Sequence, residues 1–203
     1  MKKAFTMLEL VFVIVVIGIL AMTIIPRMDR DNIYEMSEQV LSHIKYTQHL
    51  AMTDDVYDHT RSDWYQARWH LNFVNGSCGV FYRVGSDKDL SSGTGDFTNF
   101  EAARDPLTKE LIYNNTSPCD YRSGWFNGVL LGKKYNVTGM TSSCGIQTIA
   151  FDHIGQPYTG VGGTTAAAGK MQNDCDYTFA DGNGNSVKIT VTAETGYAYI
   201  TYI

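Results

Sequence analysis

Residues 2–9, Lys2-Lys3-Ala4-Phe5-Thr6-Met7-Leu8-Glu9, followed by LVFVIVVIGILAMTII over residues 10–25, are the stretch on which the fold turns. Thr23 is the only appreciably polar side chain among those last sixteen residues, and apolar character reaches back to Phe5. As a helix rising 1.5 Å per residue, Phe5 to Ile25 is roughly 31 Å long, matching the ~30 Å hydrocarbon core of a bilayer. The stretch therefore predicts one membrane-spanning helix. A cleaved secretory signal or a plain signal anchor would also show an apolar run, but each predicts a clean one. Glu9 breaks it, because a carboxylate inside a lipid-spanning helix costs about 2.5–3.5 kcal/mol. A compensating partner is expected. The LAMTIIP sequence around Ala21 also lacks an A-x-A cleavage site.

Beyond Pro26 the helical pattern continues in amphipathic form. Ile33, Met36, Val40, Ile44, Thr47 and Ala51 recur at steps of three and four, which places them on one stripe of a helix running to about residue 53. Pro26 removes one backbone donor and is expected to kink or loosen the helix at the membrane boundary. The stripe covers fewer than three heptads and includes Thr and Ala, so packing on the chain's own body is preferred to an independent coiled coil.

Downstream the period changes from helix to strand. Trp69, Leu71 and Phe73 alternate with Arg68, His70 and Asn72, then Asn75-Gly76-Ser77 turns the chain into a second run through Val84, predicting a hairpin with an apolar and a polar face. Residues 85–125, with SDKDLSSGTGD and Asn114-Asn115-Thr116-Ser117-Pro118, read as an extended loop with a short helical piece near Glu101 to Ala103. Strands return at 146–151, 176–180 and 186–191, with a turn at Asp181-Gly182-Asn183-Gly184-Asn185, and a last hairpin passes through Thr195-Gly196. The fold class is α+β: a long N-terminal helix on a C-terminal antiparallel sheet.

With 203 residues the chain is one domain plus an anchoring segment. Sixteen Lys and Arg stand against 21 Asp and Glu, a net charge of −5 that repels phosphate backbones, so no nucleic-acid partner is expected. Cys78, Cys119, Cys144 and Cys175 are widely spaced without a C-x-x-C, which speaks for disulfides in an oxidising compartment over a zinc site. Of three pairings, Cys78 with Cys119 and Cys144 with Cys175 is preferred. Motifs of hydrolases, metalloproteases, phosphate loops and dinucleotide folds are absent, so no enzyme is expected. His49, Asp54, Asp55 and His59 lie close in sequence but read as solvated surface at a helix end. Asp87, Asp89 and Ser91, and again Asp181, Asn183 and Asn185, alternate like the start of a calcium loop without the closing Glu. The expectation is therefore no metal and no cofactor, calcium being the one ion these patterns raise.

Lys2 to Glu9 with the apolar run behind it resembles the class III signal of type IV prepilins and type II secretion pseudopilins. The resemblance implies a leader, residues 1–4, cut by a prepilin peptidase between Ala4 and Phe5, with methylation of the new Phe5 amine. It implies a transmembrane and assembly helix over 5–26, its amphipathic half over 27–53, and a β-rich extracytoplasmic body over 54–203, in a single-pass protein of a bacterial inner membrane with the body in the periplasm. Ala4 stands where that family usually has Gly; the side chain stays small, and processing is expected to survive. Cleavage before Phe5 creates a charged amine that Glu9 of a neighbouring subunit can pair. Phe151-Asp152 with Gly155 and Pro157, and Val187-Lys188-Ile189-Thr190-Val191 followed by Thr195-Gly196-Tyr197, resemble the body of GspH/FimT-type minor pseudopilins. The implied partners are other pilin or pseudopilin subunits, and the implied role is a structural subunit of a type II secretion pseudopilus or type IV pilus. The alternative is a DNA-binding minor pilin for natural transformation, which calls for a basic tip. The ending from Gly196 to Ile203 has no basic residue, and loss of Lys2 and Lys3 leaves 14 basic against 21 acidic residues, net −7.

Overall fold

A computed structural model describes residues 6–77, 79–90, 97–115, 120–163 and 165–203, the side chains of 23–31 apart. Its first element, α1 (Met7–Thr53), is a single helix of 47 residues that runs on through Pro26. Thr6 is the N-cap, and its hydroxyl accepts from the Glu9 amide at 3.3 Å. That is the bond a Ser/Thr-x-x-Glu sequence makes when it opens a helix. At the other end Asp54 leaves helical geometry and its amide closes on Leu50 O.

The two halves of α1 meet different surroundings. The predicted stripe is confirmed position by position: Ile33, Met36, Val40, Ile44, Thr47 and Ala51 are all at most 4 % exposed, while Glu35, Glu38, Ser42, Lys45 and His49 face outward. Every described side chain from Met7 to Met22 is exposed. Those 16 positions span roughly 24 Å of helix, short of a bilayer core, and include Glu9. Among the described residues no helix is long and apolar enough to cross a membrane; Phe5 and the side chains of Thr23, Ile24 and Ile25, which the sequence-based span includes, lie outside them.

Among the described residues the strands β1 to β8 pair antiparallel throughout, but they form two sheets where one was expected. The first has the order β2-β1-β4-β5, with β1 (His70–Gly76), β2 (Gly79–Gly85), β4 (Thr148–Phe151) and β5 (Pro157–Tyr158). The second has the order β3-β6-β7-β8, with β3 (Val137–Ser142), β6 (Cys175–Asp181), β7 (Ser186–Val191) and β8 (Ala198–Tyr202). A short helix, α2 (Leu131–Tyr135), ends on Asn136 in the left-handed region and leads into β3. The division arises because the chain crosses between sheets after Ser142 and returns at Cys175, so its aromatic side chains meet across a shared core. Phe73 on β1 has its ring centroid 5.6 Å from Tyr177 and 5.3 Å from Phe179, both on β6. Ile33, Met36, Val40, Ile44 and Ala51 of the helix stripe, Leu71 and Phe73, and Ile189 and Val191 belong to the same buried cluster. The C-terminal strand also grips α1 directly, with Tyr202 edge-on to Tyr34 at 4.6 Å.

The first hairpin forms as expected, pairing His70 with Gly85 and Gly76 with Gly79. Its polar face does not: Arg68 and His70 are buried. The reason is a second layer on that side, where His70 packs on Phe97 and the Arg68 guanidinium lies 3.9 Å from the Tyr158 ring centre. The expected helical piece at Glu101 to Ala103 is instead a turn at Glu101, whose amide donates to Thr98 O, followed by backbone that bridges Gly85 through Ala102 beside the first sheet. Ala103 N donates to Val84 O, and Ile112 N to Ala103 O, each at 2.8 Å. Edge amides of β2 and its neighbours thereby find partners that a helix turn could not supply.

Two segments far apart in sequence meet on α1. Asp152 Oδ1 accepts the Ile154 and Gln156 amides, which folds 152–156 into a turn with Gly155 at φ +82°. Gln48 Nε2 then donates to Gly155 O and to Thr195 O, both at 2.8 Å. Gly196, at φ +65°, sits so close that a Cβ would lie 2.8 Å from Gln48 Nε2, Gly155 O and Phe151 Cε1. Only glycine fits there. The Phe151-Asp152-Gly155 and Thr195-Gly196 patterns are thus two sides of one docking point for the helix.

Candidate functional site

Ala4 and Phe5, the residues at the expected cleavage and methylation point, lie outside the described residues. Glu9 is in the first turn of α1, where a carboxylate is favoured by the helix dipole. The cap engages its backbone amide and leaves the carboxylate on the exposed surface. Around it, Met7, Phe12 and Ile14 are 84, 69 and 61 % exposed. A soluble monomer rarely leaves so continuous an apolar surface uncovered, and a single chain cannot bury it against itself in this geometry.

Cys144 and Cys175 form a disulfide with their Cα atoms 5.6 Å apart, the pairing preferred from sequence. It extends the β3–β6 ladder beyond Ser142 and Tyr177. Cys78 and Cys119 lie outside the described residues.

A buried polar chain joins α1 to the body, and no sequence motif pointed to it. His43 Nε2 lies 3.0 Å from Asp105 Oδ1, and its Nδ1 lies 2.6 Å from Tyr82 Oη. Gln39 Nε2 donates to the same Tyr82 oxygen and to Gly128 O, each at 2.8 Å. Burial pushes the His43 imidazole below its ordinary value, outweighing the opposing pull of Asp105. A neutral ring satisfies both contacts in one tautomer, Nε2–H donating to the carboxylate and Nδ1 accepting from tyrosine. Burial works against ionised Asp105 as well, but the Thr108 amide and His43 hold its carboxyl below the usual range. The pair is therefore a hydrogen bond between a neutral imidazole and a carboxylate. Periodicity gave only that His43 falls near the buried stripe; its partners come from residues 39 and 62 positions away.

Of the four polar residues read as solvated surface, His49, Asp55 and His59 are exposed, but Asp54 is not free. Its Oδ2 accepts from Trp69 Nε1 at 2.8 Å and from Lys88 Nζ at 2.6 Å, fastening the end of α1 to the first sheet. A cleft of about 400 Å³ opens beside it, lined by Met52, Tyr57, Trp64, Arg68 and His153 among others. The Arg68 guanidinium is held there by Ala166 O and the Tyr158 ring, with burial lowering its pKa.

The two calcium-like patterns part company. Asp181 Oδ1 accepts the Asn183 and Asn185 amides and Oδ2 accepts from the Asn185 side chain, all at 2.8–2.9 Å, so the chain itself satisfies this carboxylate as the turn between β6 and β7. Asp87 and Asp89 come together with Glu101, carboxylate oxygens of the three lying within 4.8 Å of one another. Ser91 lies outside the described residues. Glu101 is the acid that linear spacing could not supply. No family model, no curated protein and no solved structure matches the chain.

Proposed function

We propose that the chain is a structural subunit of a pilin-like fibre, a minor pseudopilin or minor pilin, held in a bacterial inner membrane by residues 5–26 and assembled with other subunits through that helix. The observation that carries this reading is the division of α1: one continuous helix is buried by its own body over residues 33–51 and presents exposed apolar side chains from Met7 to Met22. Such a surface needs lipid before assembly and neighbouring helices after it. Glu9 gives the bundle a register. In an apolar bundle its carboxylate requires a positive partner, and the Phe5 amine exposed by prepilin cleavage supplies one from the adjacent subunit. Removing either member leaves a buried unpaired charge, at about 3–5 kcal/mol. The DNA-capturing alternative is disfavoured by the net charge of −7 after leader loss and by the absence of basic residues from 196 to 203.

The test is Glu9→Val in the native host. The variant is expected to insert in the membrane and lose its leader, yet to be missing from sheared or cross-linked fibres. Incorporation at the wild-type level would refute the proposed pairing.

A further inference from the structure

We infer that Asp87, Asp89 and Glu101 form a calcium site on the body. Three acids close together are not a site in themselves; the decisive observation is Asp87. Its side chain is completely buried, and neither carboxylate oxygen has a hydrogen-bond partner among the described residues. A buried carboxylate without donors is rare, because losing water without a replacement is strongly unfavourable. Two more acids, Asp89 and Glu101, bring carboxylate oxygens within 4.8 Å of it, which makes the deficit worse. The ammonium next in sequence is unavailable, since Lys88 Nζ is drawn to Asp54 at 2.6 Å.

The neighbours are built to hold their positions. Glu101 Oε1 accepts the Lys88 amide at 3.1 Å and the Asp89 amide at 3.4 Å, while Oε2 accepts the Thr98 amide and hydroxyl at 3.0 and 3.1 Å. The Gly85–Ala102 bridge sets Glu101 beside the end of β2. The donor set is all oxygen, with neither His nor Cys, which selects a hard cation. Calcium binds oxygen at about 2.3–2.6 Å, so opposite ligands in its sphere stand roughly 4.6–5.2 Å apart, whereas magnesium at about 2.0–2.1 Å needs them near 4.2 Å. Oxygens within 4.8 Å of one another lie inside the span of a calcium coordination sphere, whose flexible geometry accepts such a cluster more readily than magnesium's near-ideal octahedron does. Contrast with Asp181 sharpens the point: it sits in a similar alternating sequence and is fully satisfied by its own turn. The site fastens the segment after β2 to Glu101, and it does not depend on how α1 is used.

The test is calorimetric and thermal titration of the purified full chain, stripped with chelator at pH 7.5, with calcium chloride and, in parallel, magnesium chloride. Expected are one saturable calcium site in the range of extracellular modules, roughly 10⁻⁴–10⁻³ M, a rise in Tm reversed by chelator, and at least tenfold weaker binding of magnesium. Asp87→Asn and Glu101→Gln are each expected to weaken calcium binding at least tenfold. Asp87→Asn in chelator should melt no lower than wild type, since it removes repulsion, which separates lost binding from lost folding. No calcium heat or Tm rise in wild type up to 10 mM, or an equal response in Asp87→Asn, overturns the site.

Discussion

Replacing both halves of the Cys144–Cys175 disulfide tests how the two sheets are tied together. Cys175 opens β6 and is fully buried, while Cys144 lies two residues beyond the end of β3. The bond closes a loop with a sequence separation of 31 residues. Within that loop lie β4 and β5, which belong to the other sheet. One covalent link therefore restricts the unfolded-chain position of strands from both sheets. For a loop of this length the chain-entropy relation gives about 12 cal/mol/K, or ~3.7 kcal/mol at 25 °C. At about 2–4 °C of Tm per kcal/mol for a chain of this size, the variant with Ser at 144 and Ala at 175 should melt roughly 7–15 °C lower. The folded β3–β6 ladder should persist, because Ser143 N still donates to Asp176 O at 2.9 Å and Asp176 N to the Ser143 hydroxyl. Thermal and urea unfolding followed by circular dichroism, wild type against variant without reductant, measures the difference. Because the effect resides in the unfolded ensemble, the urea m-value should rise slightly as that ensemble expands. A Tm within 2 °C of wild type would refute the reasoning, showing that residues 145–174 are constrained by something other than the bond.

The His43 network predicts an acid-labile helix contact. Both groups sit below their ordinary values of 6.5 and 3.8, so each binds fewer protons folded than unfolded. Stability is then full above pH 6.5 and falls on acidification, through His43 first and Asp105 below it. His43→Gln should flatten urea stability between pH 7 and 5, and an unchanged slope would contradict the assignment. Ile44→Ala, in the fully buried stripe, should lower unfolding free energy by about 2–5 kcal/mol in the same urea assay. The exposed Lys45→Ala should stay within about 0.5 kcal/mol.

The helix was legible because its signal is local: from Ile33 to Ala51 every third or fourth residue is apolar or small, and every one of those positions is buried. The β6–β7 hairpin was legible for the same reason, since Asp181-Gly182-Asn183-Gly184-Asn185 carries its own turn chemistry. What escaped depends on partners distant in the chain. Val137–Ser142 is a strand with a glycine and a register shift at Gly139, held in place by pairing with β6, and nothing in its own composition demands that. Arg68 and His70 alternate like an outer face and are buried because Phe97 and Tyr158 cover them from later in the sequence. Glu101 lies 12 residues beyond Asp89, outside the spacing of a calcium loop, and is brought to the aspartates by the Gly85–Ala102 bridge and by the Lys88 and Asp89 amides its carboxylate accepts. Glu9, by contrast, was visible at once as a charge in an apolar run. Its neighbours in the fold are its own cap and open surface, which is what an intermolecular role requires.

Mass spectrometry of the protein purified from its native membrane bears most directly on the assembly proposal. A mature chain beginning at an N-methylated Phe5 and retaining the apolar stretch through Ile25 is the predicted result. A chain that still begins with Lys2 and Lys3, or that has lost the stretch before Pro26, would contradict it.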